Sequence, residues 1–246
     1  MNNSASFDPL IDRPPSRYVV GIDLGTTNSA VTYVDTEESP WRIRVLLIPQ
    51  RVSADETESL DTLPSFHFTP VEVGQTESVR ASTAGANKNS AASSAVNLAS
   101  KDAAFVGAFA RDETTRTSGR GIASAKSWLS HSAVDRTAAL LPWHAAENIE
   151  RRSPVEVSAA FLAHIRGAWD QQFADYALAE QDIVITLPAS FDEVARELTV
   201  AAAAAAGLSK IVLIEEPQAA FYAWVYKHDA NWNSLVAIGQ TILVCD

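Results

Sequence analysis

The chain has 246 residues, 47% hydrophobic and 20% charged, an ordinary composition for a soluble globular protein. Its 30 acidic against 19 basic residues leave a formal charge of −11, which argues against a nucleic-acid backbone as the main partner. No apolar run approaches the roughly 20 residues that span a bilayer, and the first residues lack the basic and apolar regions of a signal peptide. The single cysteine, Cys245, excludes an internal disulfide and any multi-cysteine metal cluster. A reducing compartment follows, most simply the cytoplasm.

Residues 1–17 are polar and punctuated by Pro9, Pro14 and Pro15, and read as a loose leader. YVVGID from Tyr18 and AVTYVD from Ala30 are β-branched runs around the turn cluster GTTNS, a hairpin signal. A third strand is expected over Ile43–Ile48, ended by Pro49, and LPSFHF (Leu63–Phe68) returns to strand character. The run Ala81–Ala95 has no large apolar side chain and reads as a mobile surface insertion. AAFVGAFARD (Ala103–Asp112) reads as a short strand leading into a helix.

The second half is more regular. Ser153, Pro154 and Glu156 form a capping-box start, and Val157, Ala160, Phe161, His164, Ile165 and Ala168 keep the spacing of one helix face. DIVITLP is a strand stopped by Pro188. Ser190 and Glu193 suggest a second capping box for an alanine-rich helix that ends at Gly207. KIVLIEE is a strand, Pro217 opens a helix to about Tyr226, and TILVCD begins a last strand. Strand–helix alternation after an opening hairpin predicts an α/β fold built on a mixed sheet flanked by helices.

The segment GIDLGTTNS (Gly21–Ser29) carries the most chemistry. Asp23 ends a strand, Gly25 permits a sharp turn, and Thr26, Thr27 and Asn28 add hydroxyl and amide groups to exposed backbone N–H groups. Such a turn can wrap phosphate oxygens while the carboxylate holds a hydrated Mg²⁺. Read plainly, it is a polar hairpin turn with Asp and Gly where turns favour them. It matches neither GxxxxGK[ST] nor GxGxxG. Glu216 at a helix start has a plain reading too, as a partner of the helix dipole, and Pro188 as a strand terminator. The histidines His67, His131, His144, His164 and His228 are scattered and show no metal-ligand spacing. Cys245 reads as a buried small hydrophobe.

Taken together, GIDLGTTNSAV, LPSF, GIASAKSWL, SPVEVSAAFL, ITLPASFDEVAREL and IEEPQAAF resemble segments of the seventy-kilodalton heat-shock chaperones, in this order and from about Tyr18 to Asp246. The resemblance implies the actin-like, ribonuclease-H-like ATPase fold and a nucleotide-binding role with ATP or ADP and Mg²⁺ in protein folding. It implies that Gly25, Thr26, Thr27 and Asn28 hold phosphates, that Asp23 and Asp246 face Mg²⁺ through water, and that Lys126 and Glu216 are catalytic. Lys126 would stabilise transition-state charge and Glu216 would orient water; outside the resemblance, Lys126 reads as a surface lysine. Pro188 and Arg196 match positions that relay nucleotide state between domains in the family.

The same resemblance divides the chain into the leader, a lobe core of 18–62 and 151–240, a peripheral subdomain of 63–150, and a strand at 241–246 opening a second lobe. It implies a truncated first lobe with little ATP hydrolysis by itself, and client polypeptides and co-chaperones that act through other regions. Three departures from the family pattern suggest a divergent bacterial-type member. The insertion at 81–95 and the long 127–150 stretch differ from the typical chaperone, and Glu215-Glu216-Pro217-Gln218 stands where the family reads Asn-Glu-Pro-Thr, adding negative charge near the phosphate site. Two other readings are a small-molecule kinase of the actin-like superfamily and a non-catalytic partner-binding module.

Overall fold

The expected hairpin forms from Tyr18–Asp23 (β1) and Asn28–Asp35 (β2), paired antiparallel from Tyr18↔Asp35 to Asp23↔Ala30. The computed structural model describes residues 16–70, 104–146, 149–228 and 231–244. Cys245, Asp246, residues 1–15 of the leader and the 81–95 insertion lie outside the described residues.

The third strand departs from expectation. Arg44–Val45 (β3) pairs with β2, and the chain then forms Ile48–Arg51 (β4), which pairs with Thr57–Leu60 (β5) in a separate two-stranded ribbon. Pro49 sits inside β4 instead of ending a strand. A two-stranded ribbon leaves each strand one unpaired edge, where a residue lacking an N–H is tolerated. LPSFHF also divides in two. Thr62–Pro64 (β6) joins β2 in the main sheet, and Phe66–Phe68 (β7) pairs with Phe105–Val106 (β8) and Gly121–Ala123 (β9). Ser65 is the crossover residue between the two sheets.

After β8 come Ala108–Arg116 (α1), the single-turn Ala125–Trp128 (α2) and the long Pro154–Gln172 (α3). The capping box predicted for α3 is present: Ser153 Oγ accepts from Glu156 N at 3.1 Å, and Ser153 N donates to Glu156 Oε2 at 2.7 Å. Asp182–Leu187 (β10), Glu193–Ala205 (α4), Ile211–Glu215 (β11), Glu216–His228 (α5) and Trp232–Leu235 (α6) complete the order.

The N-cap of α4 is Asp192, not Ser190. The Asp192 carboxylate accepts from Ala195 N at 2.8 Å, while the turn around Ser190 is closed by Phe191 N to Pro188 O at 3.0 Å. Gly207 ends the helix as predicted, at φ +78, with Leu208 N on Ala203 O and Gly207 N on Ala204 O. Thr241–Val244, predicted to be a strand, forms none, because a strand needs a ladder partner and no described strand supplies one there.

The main sheet runs β11-β10-β1-β2-β3, with β6 also on β2; β1, β10 and β11 are mutually parallel and the rest antiparallel. Val20, Ile22, Ile183 and Ile185 point to the face covered by α3 and α4, where Val157, Phe161, Leu162, Ile165, Trp169, Ala202 and Ala203 complete the core. Tyr18, Tyr33, Trp169, Phe173 and Tyr176 close one end of this core, with ring centroids 4.4 to 5.9 Å apart. The Trp169 indole N–H, taken from water, donates to Tyr176 O at 2.8 Å. This is the mixed α/β sheet with flanking helices that the sequence predicts.

Candidate functional site

Three parallel strands must end on the same edge of a sheet, so the C-terminal ends of β1, β10 and β11 meet. The register sets Asp23 beside Thr186 and Thr186 beside Ile214, so Asp23, Pro188 and Glu216 leave neighbouring strands close together. They line one cleft of 760 Å³ with Gly25, Thr26, Thr27, Asn28 and Lys126. Ligands of open α/β sheets bind at this kind of edge, beyond the carboxyl ends of the strands.

The turn between β1 and β2 is tight. A Cβ on Gly25 would collide with the Asn28 carbonyl oxygen, so only glycine lets the loop close. Thr26, Thr27 and Asn28 are exposed, as is the Asp23 carboxylate. Two residues brace the turn from outside it. Ser65 donates its hydroxyl to Gly25 O at 2.7 Å and its N–H to Thr27 O at 2.8 Å. Thr186 Oγ1 donates to Asp23 Oδ1 at 2.9 Å, orienting that carboxylate. Neither was among the sequence-predicted site residues. Ser65 lies within LPSF and Thr186 within DIVITLP, so both were read there only as strand residues.

Lys126 is carried by α2, which follows β9 of the three-stranded sheet and packs against α3. Its side chain is 6% exposed, and its Nζ lies 2.5 Å from Glu216 Oε1. A buried ammonium needs a compensating carboxylate, and Glu216, at 30% exposure in the first turn of α5, supplies it. The surface-lysine reading of Lys126 therefore does not hold. Glu216 stays close to the positive end of its helix.

The extra carboxylate of the Glu-Glu-Pro-Gln segment has a separate fate. Glu215 Oε1 accepts from Arg196 Nη2 of α4 at 2.8 Å and is not part of the cleft lining. The added negative charge is thus paired with Arg196 rather than turned toward the cleft. Arg196 also lies outside the cleft lining, whereas Pro188 is part of it. Asp246 lies outside the described residues.

The donor set suits a magnesium–phosphate ligand. Mg²⁺ is usually held by one or two carboxylates, several waters and substrate phosphates, not by a protein cage. Among the described residues no group of three or more His, Cys, Asp or Glu could hold a metal ion, while Asp23 stands exposed beside a turn of hydroxyl and amide groups. Among the described residues no helix is long and apolar enough to cross a membrane.

The model of the Hsp70 protein family matches residues 67–246, well over half of the chain. The chain is also similar to proteins named "Chaperone protein HscA homolog". It is 32% identical over 234 residues to that of Pseudomonas fluorescens, 32% over 237 residues to that of Pseudomonas aeruginosa, and 33% over 238 residues to that of Azotobacter vinelandii. Each match covers 90% of this chain, and the chain spans 30% of the length of these relatives. With the mixed sheet, the glycine-closed turn and the cleft at the strand ends, these matches identify the chain as a member of the Hsp70 family, carrying the first lobe of its actin-like nucleotide-binding fold.

Proposed function

We propose that the cleft binds a magnesium–nucleoside triphosphate, ATP first, as part of a chaperone ATPase that converts ATP and water to ADP and phosphate. One observation carries this reading: buried Lys126, paired with the partly exposed Glu216, lines the same cleft as the glycine-closed turn Gly25–Asn28. Backbone N–H groups and hydroxyls of Thr26, Thr27 and Asn28 bind phosphate oxygens, and Gly25 lets them approach closely. Asp23, oriented by Thr186, holds a water of the metal shell, and Asp246 is proposed for the same role. Bound Mg²⁺ neutralises phosphate charge. Lys126 supplies a fixed positive charge where negative charge develops, and Glu216 accepts a hydrogen bond from the attacking water.

Pro188, on the cleft wall, and Arg196, paired to the residue before Glu216, are proposed to relay nucleotide state to other regions of the protein. Residues 63–150, apart from Leu63 and Pro64, which pair with β2 in the main sheet, are proposed as a peripheral subdomain that delivers Lys126. Unfolded client polypeptides and co-chaperones are proposed as partners through regions the relatives have beyond the part matched here. The single cysteine fits a cytoplasmic protein.

The test is calorimetric titration of the 246-residue chain with ATP and Mg²⁺, beside the Asp23→Asn and Gly25→Ala variants. Saturable binding that both variants weaken at least about tenfold supports the reading, because Asp23→Asn removes the carboxylate proposed for the metal's water shell and Gly25→Ala keeps the phosphate turn from closing. Binding that neither variant changes would place the nucleotide elsewhere. An absence of binding both in this chain and in a chain extended through the second lobe would favour the non-catalytic partner-binding module.

A further inference from the structure

A second, small core lies beneath the cleft, formed by the buried residues Leu129, Leu187, Phe191 and Ala195, with Val155, Leu198 and Leu213 packed against it. Several of its members stand next to a group that lines the cleft. Leu129 follows Lys126 by three residues, Leu187 precedes Pro188, and Leu213 precedes Glu216 by three. A displacement of this core would therefore move several walls of the cleft at once.

The helix that bears Lys126 cannot hold its own place. It has four residues, opens at Ser124 in the left-handed region at φ 55, and has no side-chain cap. One turn of helix is unstable by itself, so its position is set by what it packs against. Leu129 provides the apolar part of that support. The chain beyond it provides a polar part: Arg136 donates Nη1 to Asp192 Oδ1 at 2.7 Å and Nη2 to Asp192 Oδ2 at 2.9 Å.

That fork is well prepared. Arg136 is 11% exposed, and its Nε donates to His131 O at 3.4 Å. Its loop is braced by Thr137, whose N–H and hydroxyl both donate to Asp135 Oδ1, and by Trp128, whose ring stacks on His131 at 5.2 Å. Asp192 is the N-cap of α4, the helix whose first turn buries Ala195 in the small core. One carboxylate thus starts α4 and anchors the loop that follows Lys126.

We infer that Arg136 is a positioning residue for Lys126: its two-pronged contact with Asp192 ties the loop after α2 to the start of α4 and keeps the lysine against Glu216. The inference rests on the assignment of Lys126 to the nucleotide site. A partly exposed ion pair contributes little to overall stability, whereas a charged group at a reaction centre must be held to within about half an ångström. The role of the contact is therefore placement. The Arg136 hydrogen bond holds the Asp192 carboxyl down to about 2, with the Ala195 N–H adding to it, so the fork persists across the neutral range.

The test uses the full 246-residue chain with Arg136→Ala, Arg136→Lys and Asp192→Asn, the last keeping a competent helix cap. Acetylation of Lys126 is followed by mass spectrometry under native conditions, and amide hydrogen exchange in α3 reports on the fold. Local opening around α2 is expected to raise Lys126 acetylation about fivefold or more in Arg136→Ala and Asp192→Asn, with α3 exchange unchanged. Arg136→Lys, which keeps the charge and loses the fork, should fall between them and the parent. Unchanged Lys126 reactivity overturns the inference, and so does α3 exchange that rises in parallel. If neither the parent chain nor one extended through the second lobe binds ATP while Lys126 still responds to the fork, the proposed function fails and the placement of Lys126 against Glu216 by the fork stands.

Discussion

The ammonium of Lys126 and the carboxylate of Glu216 lie 2.5 Å apart, though 90 residues separate them in the chain. The pair joins two independently built pieces, α2 after the last strand of the small three-stranded sheet and α5 at the end of β11. Lys126 is nearly buried and Glu216 is partly wet, so the lysine depends on the pair more than the glutamate does. If the proposed function holds, Lys126→Met in a chain extended through the second lobe is expected to leave ATP affinity within about threefold while lowering hydrolysis roughly 10²- to 10³-fold, as for loss of one fixed charge contact to the transition state. Single-turnover assays with radiolabelled ATP measure both quantities. Equal turnover in the variant would remove Lys126 from that role.

Ser65 connects two sheets and the Gly25–Asn28 turn at once. Ser65→Ala deletes the hydroxyl contact to Gly25 O and leaves the N–H contact to Thr27 in place. The expected cost is about 1 kcal/mol of stability for one buried hydrogen bond, together with a several-fold loss of ATP affinity from a looser turn. Urea unfolding and calorimetry read the two effects. A stability loss without an affinity change would confine Ser65 to the fold.

His67, on β7, is buried, and its Nδ1 has no partner among the described residues. Burial pushes its pKa down to about 4, and the nearby Arg152 charge adds to that. An imidazole in the unfolded chain titrates near 6.5, so the unfolded state takes up a proton first as pH falls. Stability from this residue is complete above about pH 6.5 and is lost progressively down to about pH 4. The interval corresponds to on the order of 3 kcal/mol at most. His164, also lowered by burial, acts with the same sign. Thermal unfolding from pH 8 to pH 4 should show His67→Phe with a shallower decline than the parent. Parallel curves would show that His67 does not govern acid stability.

Much of the fold is legible in local sequence because the signals are local. The Ser153–Glu156 capping box, the Gly207 helix end, the β1–β2 hairpin and the strand DIVITL stopped by Pro188 each depend on residues a few positions apart, and each appears in the structure. The failures occur where a distant partner decides. Asp192 displaced Ser190 as the helix cap with Arg136, 56 residues earlier in the chain, bound to the same carboxylate. The strand through LPSFHF broke at Ser65 because that residue bonds to the turn 40 positions earlier.

The sequence alone determined the chemistry on offer: a glycine that permits a closed turn, hydroxyls and an amide beside it, an aspartate at a strand end and a glutamate at a helix start. Only the tertiary structure decided which of these groups meet. Parallel pairing of β1, β10 and β11 carries Asp23, Pro188 and Glu216 to one sheet edge, and the second sheet swings Lys126 over it. It also paired Glu215 with Arg196, away from the cleft, a result no neighbouring residue encodes. The physical reason is range: caps and turns are set within about one helical turn of chain, whereas register, burial and charge compensation are set by segments that become neighbours only once the core has closed.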